Sequence, residues 1–230
     1  MIVSIEIKSV ELLAEGAAFG PVGPYEKVIG VAYGEVDPND RRNSVIVDIG
    51  LAPRNARGKV EYSFDFYILK PTDLSKGNHK VFYEPPNRGR KTFGGFNRSK
   101  GGNDPAQSDS PDSTFLAPQG YTMVWSGWDY SAGSDNSKYN TTITLPVAKN
   151  PDGSSITGPA YEYIVSGAAA YRLAYAAATT GTSKATLTHR VRLDDQPQPI
   201  SATEWEFTNN GNAIRLLPAG SRFRSEEHTS

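Results

Sequence analysis

Two tryptophans flank a glycine in Trp125-Ser126-Gly127-Trp128-Asp129, directly after an apolar run. Such a pair can stack on a sugar or frame a pocket mouth, and it can equally be two core indoles at a strand end. Ser126 is a poor nucleophile. A nucleophile elbow needs small residues two before and two after the serine, and Val124 and Trp128 stand there. Gly181-Thr182-Ser183-Lys184-Ala185 matches an elbow in letters only, because it enters the β-branched run 186–191 instead of a helix. His189 falls on the apolar side of its alternation and reads as a core histidine. Asp37, Asn39 and Asp40 resemble half a calcium loop but lack its sixth-place glycine and closing glutamate, so they read as turn formers. No GxGxxG fingerprint or Walker loop occurs.

The segment Asn87 to Asn103 holds Arg88, Arg90, Lys91, Arg98 and Lys100, with Phe93 and Phe96 interleaved and no acid. Basic and aromatic residues together can hold a single strand of nucleic acid or a phosphate. The chain's net charge of −1 argues against bulk capture of nucleic acid or anionic lipid. A solvated loop, offset by Asp104, Asp109 and Asp112, is the expected reading. With no cysteine, thiolate catalysis, disulfides and Cys-ligated zinc are excluded, and three histidines make a His-rich metal site unexpected. No cofactor is expected. No apolar run reaches 18 residues, so no membrane span is expected, and Met1 to Leu13 lacks the basic start of a secretory signal. A cytoplasmic location is the default, and the oligomeric state is left open.

The elements that must position these residues are mainly strands. The 230 residues include 22 Gly and 16 Pro, a turn-rich composition. Period-two alternation predicts strands at Val3–Ile7, Ile29–Tyr33 and, most clearly, Val60–Leu69, where Val60, Tyr62, Phe64, Phe66 and Ile68 share one face. The run Val45–Ile49 reads as a strand buried on both faces. Val81–Tyr83 and Tyr121–Trp125 read as further strands, Thr141–Val147 as an edge strand, and Leu187–Leu193 as another. Trp205–Phe207 and Ile214–Leu217 read as a hairpin around 209–212. Tyr161–Ala178 is Ala-rich and fits a helix or a strand. From Phe82 to Phe115, 34 residues contain no Val, Ile, Leu or Met. A loop of that length, well beyond roughly 12–15 residues, signals function or disorder.

Several blocks form an ordered set: Tyr25-Glu26, Val31 to Gly34, Asp37-Pro38, Leu51 to Ala56, Gly58 to Tyr62, Asn87-Arg88-Gly89, and Gly120 to Asp129. From about Tyr25 to Phe223 the chain resembles the N-terminal part of bacterial alpha/beta hydrolase domain-containing proteins. The resemblance implies an α/β, strand-rich class: a partial α/β-hydrolase sheet with antiparallel N-terminal strands and a β-rich insertion. Residues 1–136 would be the hydrolase-like part and 137–223 the insertion or flanking region. Residues 224–230 (RSEEHTS) read as the in-frame translation of a sequencing-library adapter.

The resemblance further implies that Val81–Glu84 and Tyr121–Trp125 run parallel and deliver their loops to one rim. Asn87, Arg88 and Gly89 would form the oxyanion loop, and Glu84, Trp125, Ser126, Trp128 and Asp129 the pocket wall. The implied activity is hydrolysis of a small-molecule ester or related acyl bond. Nucleophile, acid and histidine would follow this region, so the fragment itself is expected to be inactive. A reading from a different class is a β-sandwich module that stacks glycans on Trp125, Trp128 and tyrosines.

Overall fold

In a computed structural model, the described residues are 1–92, 97–98, 102–104, 114–133, 139–164, 167–218 and 220–223. The chain divides into two compact units, Met1–Ile156 and Thr157–Ser230.

The first unit is built on a six-stranded sheet: β1 (Ile2–Leu12), β2 (Tyr25–Val36), β3 (Val60–Pro71), β4 (Val81–Glu84), β5 (Thr122–Ser126) and β6 (Ile143–Thr144). Their spatial order is β1-β2-β3-β5-β4, with β6 also on β3. The β1-β2, β2-β3, β3-β5 and β3-β6 pairs are antiparallel, and β4-β5 is parallel, with Val81 opposite Thr122 and Glu84 opposite Trp125.

Alternation divides the sheet into two faces. Tyr25, Tyr67, Leu69, Met123 and Trp125 turn to one face, where Leu13, Phe19, Val22, Leu116 and Ala117 from the connecting segments complete the core. The Tyr25 hydroxyl lies 2.9 Å from the Ala117 carbonyl and 3.0 Å from that of Tyr121, and burial pushes its pKa up. The opposite face carries Val28, Ala32, Phe64, Phe66 and Ile68. There β2 supplies glycines beneath aromatic rings of β3. Gly30 lies opposite Phe66 and Gly34 opposite Tyr62, and a Cβ at either would stand 2.4 or 2.3 Å from the facing ring. The rings cover the backbone where a side chain is missing.

The second unit holds β7 (Ala170–Arg172), β8 (Leu187–His189), β9 (Gln198–Ile200), β10 (Trp205–Thr208) and β11 (Ala213–Leu216). β10, β11 and β7 form an antiparallel sheet, and β8 pairs antiparallel with β9. Trp205 and Ile214 are buried there. The β10–β11 hairpin turns at 209–211, in the expected place, with Asn209, Asn210 and Gly211 all at positive φ.

The expected α/β class is corrected. Strands make up 34% and helical residues 15%, and among the described residues no helix reaches seven residues. The helical elements that lie wholly within the described residues are 3-10 turns of three or four residues. The described connections are rich in Gly, Pro and Asn, which disfavours helix propagation, and among the described residues the sheet lacks the helical layers that define that class. The expected strand Val45–Ile49 is also absent: 45–51 forms turns, with Val45 and Val47 exposed. β2 already lies between β1 and β3, and β3 between β2 and the β5/β6 pair, so neither offers this run a free edge. The expected core histidine, His189, is exposed. Within Tyr161–Ala178 the described ordered element is the strand β7; residues 165–166 lie outside the described residues.

Candidate functional site

The parallel β4–β5 pair delivers both following segments to the same end of the sheet. After β4, Arg88 and Gly89 both take positive φ (51° and 77°), and the Arg90 amide donates to the Asn87 carbonyl at 3.0 Å, closing a tight turn. A Cβ on Gly89 would stand 2.6 Å from the Ala132 Cβ, so packing as well as φ requires glycine here. The Gly89 amide points to the Pro86 carbonyl at 3.4 Å, and the Gly89 carbonyl accepts from the Thr141 amide at 3.1 Å. Both the Gly89 and the Arg90 amides thus point into the loop's own carbonyls.

After β5, Gly127 allows a close backbone crossing. Its amide donates to the Asp65 carbonyl at 2.8 Å, and a Cβ would fall 2.0 Å from the Thr142 carbonyl oxygen. The chain then turns back across the first loop. The Trp128 indole donates to the Pro86 carbonyl at 2.8 Å, which fixes a ring that stays 57% exposed. Arg88 donates to the Ser131 hydroxyl at 3.2 Å and lies 3.7 Å from the Asp129 carboxylate. Asp129, nearly buried, also accepts from the Ser131 amide at 2.8 Å and its hydroxyl at 2.7 Å.

The structure therefore brings Asn87, Arg88 and Gly89 beside Trp128 and Asp129. Other candidates lie elsewhere. Trp125 is fully buried in the core, and its indole donates to Glu84 at 2.6 Å. The second oxygen of Glu84 accepts from the Thr92 amide at 3.0 Å and hydroxyl at 2.5 Å, so this carboxylate ties a loop to the sheet. Ser126 sits on the opposite face, its hydroxyl 2.9 Å from that of Tyr83. Neither described histidine, His79 or His189, makes a hydrogen bond to a side-chain hydroxyl among the described residues. Asp37 accepts from the Asn39 amide and pairs with Lys59, and Asp40 pairs with Arg42, which holds its carboxyl down at about 2. Among the described residues no group of three metal-ligating acids or histidines converges.

A second cluster has no local signal in the sequence. The Tyr67 hydroxyl donates to Asp104 at 2.5 Å, and Lys27 lies 3.5 Å from the other carboxylate oxygen and 2.9 Å from Glu11. Burial works against the Lys27 charge, but the Glu11 hydrogen bond and the Asp104 charge hold its pKa above the usual value. Lys91 is buried as well, which corrects the solvated-loop reading at that position. Its ammonium donates to the carbonyls of Asn103 (2.9 Å) and Tyr139 (2.5 Å) and sits 4.2 Å from the Tyr67 ring centroid. Burial pushes its pKa down to about 8, against the pull of Asp104, Glu84 and Asp65. Phe93, Phe96 and Lys100 of the basic stretch, and Asp109 and Asp112, lie outside the described residues.

Beside this cluster opens a cleft of about 430 Å³, lined by Asp65, Tyr67, Tyr139, Asn140 and Thr141 among others. The buried Thr141 hydroxyl has no hydrogen-bond partner among the described residues. No helix among the described residues is long and apolar enough to cross a membrane. No family model, curated protein or solved structure matches this chain.

Proposed function

We propose that this chain carries the substrate-side rim of a hydrolase acting on a small-molecule ester or related acyl bond. The observation that carries the reading is the parallel β4–β5 pair, whose two exits are tied by the Trp128–Pro86 hydrogen bond and the Arg88–Asp129 ion pair. The blocks through which the chain resembles hydrolase domain-containing proteins include both exits. With the Gly89 and Arg90 amides turned inward, the Arg88 guanidinium is the group at the rim suited to a developing oxyanion. The exposed Trp128 ring would hold the apolar part of the substrate. Nucleophile and base lie outside the described residues in this reading. The test is turnover of p-nitrophenyl esters by the full reading frame that contains this chain, with and without a serine-directed phosphonate. Turnover abolished by covalent labelling supports it; neither turnover nor labelling rejects it. The 230-residue chain alone is expected to show neither.

A second reading is favoured by three exposed aromatics, Tyr83, Trp128 and Tyr130, on and just beyond the same strand ends. In it the chain is a glycan-binding module that stacks sugar rings on these side chains. Retardation in polysaccharide gels, lost in Trp128→Ala, is the expected result. Unchanged mobility in every glycan rejects it.

A further inference from the structure

Arg88 and Trp128 meet over one carbonyl. The Pro86 oxygen accepts the Trp128 indole N–H at 2.8 Å and faces the Gly89 amide at 3.4 Å, so the indole lies against the turn that carries Arg88. Pro86 is fully buried, and the ring fixed to it stays 57% exposed. Of the three tryptophans it is the exposed one, since Trp125 and Trp205 are buried. An indole whose N–H is turned inward offers a ligand its flat apolar surface.

Arg88 supplies charge beside that surface. Its Nη1 makes both contacts with the facing loop, the Ser131 hydroxyl at 3.2 Å and the Asp129 carboxylate at 3.7 Å. Nη2 and Nε engage nothing among the described residues, and the side chain is 69% exposed. Oδ1 of Asp129 accepts from the Ser131 amide and hydroxyl, which leaves Oδ2 toward Arg88. A separation of 3.7 Å is longer than the roughly 2.7–2.9 Å of a charge-assisted hydrogen bond, so Asp129 aims the guanidinium without occupying it. Arg88 also holds φ at 51°, a costly backbone region for a residue with a Cβ, and such outliers gather at ligand sites. Arg90, exposed on the same turn, forms no ion pair among the described residues, so its charge adds to the field at the rim.

We infer that this rim binds an aromatic carboxylate, its ring stacked on Trp128 and its carboxylate on the open edge of the Arg88 guanidinium. The planar fork of N–H donors matches a carboxylate in geometry as well as charge. A neutral ligand of the same shape keeps the stacking and loses the ionic contact. The inference rests on the same rim as the hydrolase reading, in which such an acid is what ester cleavage releases, but its test needs no turnover. Binding without turnover rejects that reading alone, and turnover without binding rejects this one alone.

The test is a titration of the isotope-labelled full chain with sodium benzoate and, separately, benzyl alcohol at matched ionic strength. The readout is the indole N–H signals of the three tryptophans in heteronuclear NMR spectra, with that of Trp128 assigned through Trp128→Phe. The Trp128 signal is expected to move and saturate with a Kd of about 1–10 mM for benzoate, and at least about tenfold weaker for benzyl alcohol. The signals of the buried Trp125 and Trp205 are expected to stay in place. Arg88→Met is expected to weaken benzoate about tenfold and to leave benzyl alcohol unchanged. A stationary Trp128 signal, equal affinity for the two ligands, movement confined to the buried indoles, or benzoate binding unchanged in Arg88→Met would each overturn the proposal. Should Arg88→Met misfold, the comparison of charged with neutral ligand in the wild type decides.

Discussion

Asp104 accepts a 2.5 Å hydrogen bond from the Tyr67 phenol, joining a loop carboxylate to the centre of β3 across 37 positions of sequence. The same carboxylate faces Lys27 on β2, so one acid connects two strands and a loop beneath the main core. Removing it would leave the buried Lys27 ammonium with the half-exposed Glu11 as its remaining ion-pair partner among the described residues, beside the Tyr139 ring. Asp104→Asn is therefore expected to lower unfolding free energy by about 3 kcal/mol, and Tyr67→Phe by about 1 kcal/mol. Urea titrations of both single variants and the double variant check this, and the double should cost less than the sum.

Stability is expected to rise with pH between about 8 and 10. Lys91 has a folded pKa of about 8, below its unfolded value of about 10.5. In that window the unfolded chain binds more protons than the folded one, so each rise in pH favours folding; below pH 8 the full penalty applies. The gain across the window is on the order of 2 kcal/mol. Tyr25, with its pKa raised by burial, acts in the opposite direction only above about pH 10. Urea midpoints measured from pH 7 to 10 should climb for the wild type and stay flatter for Lys91→Met.

Gly127→Ala is expected to destabilise by about 3 kcal/mol or more, because the new methyl would meet the Thr142 backbone and not a yielding side chain. Gly50→Ala meets nothing within 4 Å and is expected to stay within about 0.5 kcal/mol of wild type. Thermal melts of the pair separate crossing geometry from a general effect of losing glycine.

On the proposed hydrolase reading, Arg88→Met in the full reading frame is expected to lower kcat on esters about 10- to 100-fold with little change in KM, since the charge would act on the transition state. Trp128→Ala should instead raise KM several-fold through lost apolar contact. Steady-state kinetics with esters of increasing acyl length distinguish the two roles.

The alternation of β1 and of the first part of β3 was legible because apolar and polar residues take turns there, Ile5 and Ile7 with Glu6 and Lys8, and Tyr62, Phe64 and Phe66 with Glu61, Ser63 and Asp65; β2 and the end of β3 carry apolar side chains on both faces. The same logic failed at Val45–Ile49, where an apolar run has strand propensity but neither of the strands it connects, β2 and β3, has a vacant edge; tertiary context decided it. The meeting of Arg88 with Asp129 follows from two strands running the same way, a pairing that only the resemblance implied and that the spacing of the apolar runs did not reveal. The Lys27–Asp104 contact did not announce itself, because 77 residues separate the partners and each reads locally as a surface charge. Lys91 misled for the same reason: it sits among solvated arginines, and only the folded loop buries it.

The rings of Phe66 and Tyr62 lying over Gly30 and Gly34 have a genetic consequence. At Gly30 the Glu6 carbonyl also stands 2.2 Å from where a Cβ would fall, so that glycine is held by backbone as well as by the ring. At Gly34 the Tyr62 ring is the nearest obstacle, and neither member of that couple can drift by itself: a larger side chain at 34 evicts the phenol ring, and a smaller one at 62 bares a strip of peptide backbone. Among descendants of this sequence, a valine arriving at 34 should be accompanied by a small residue at 62.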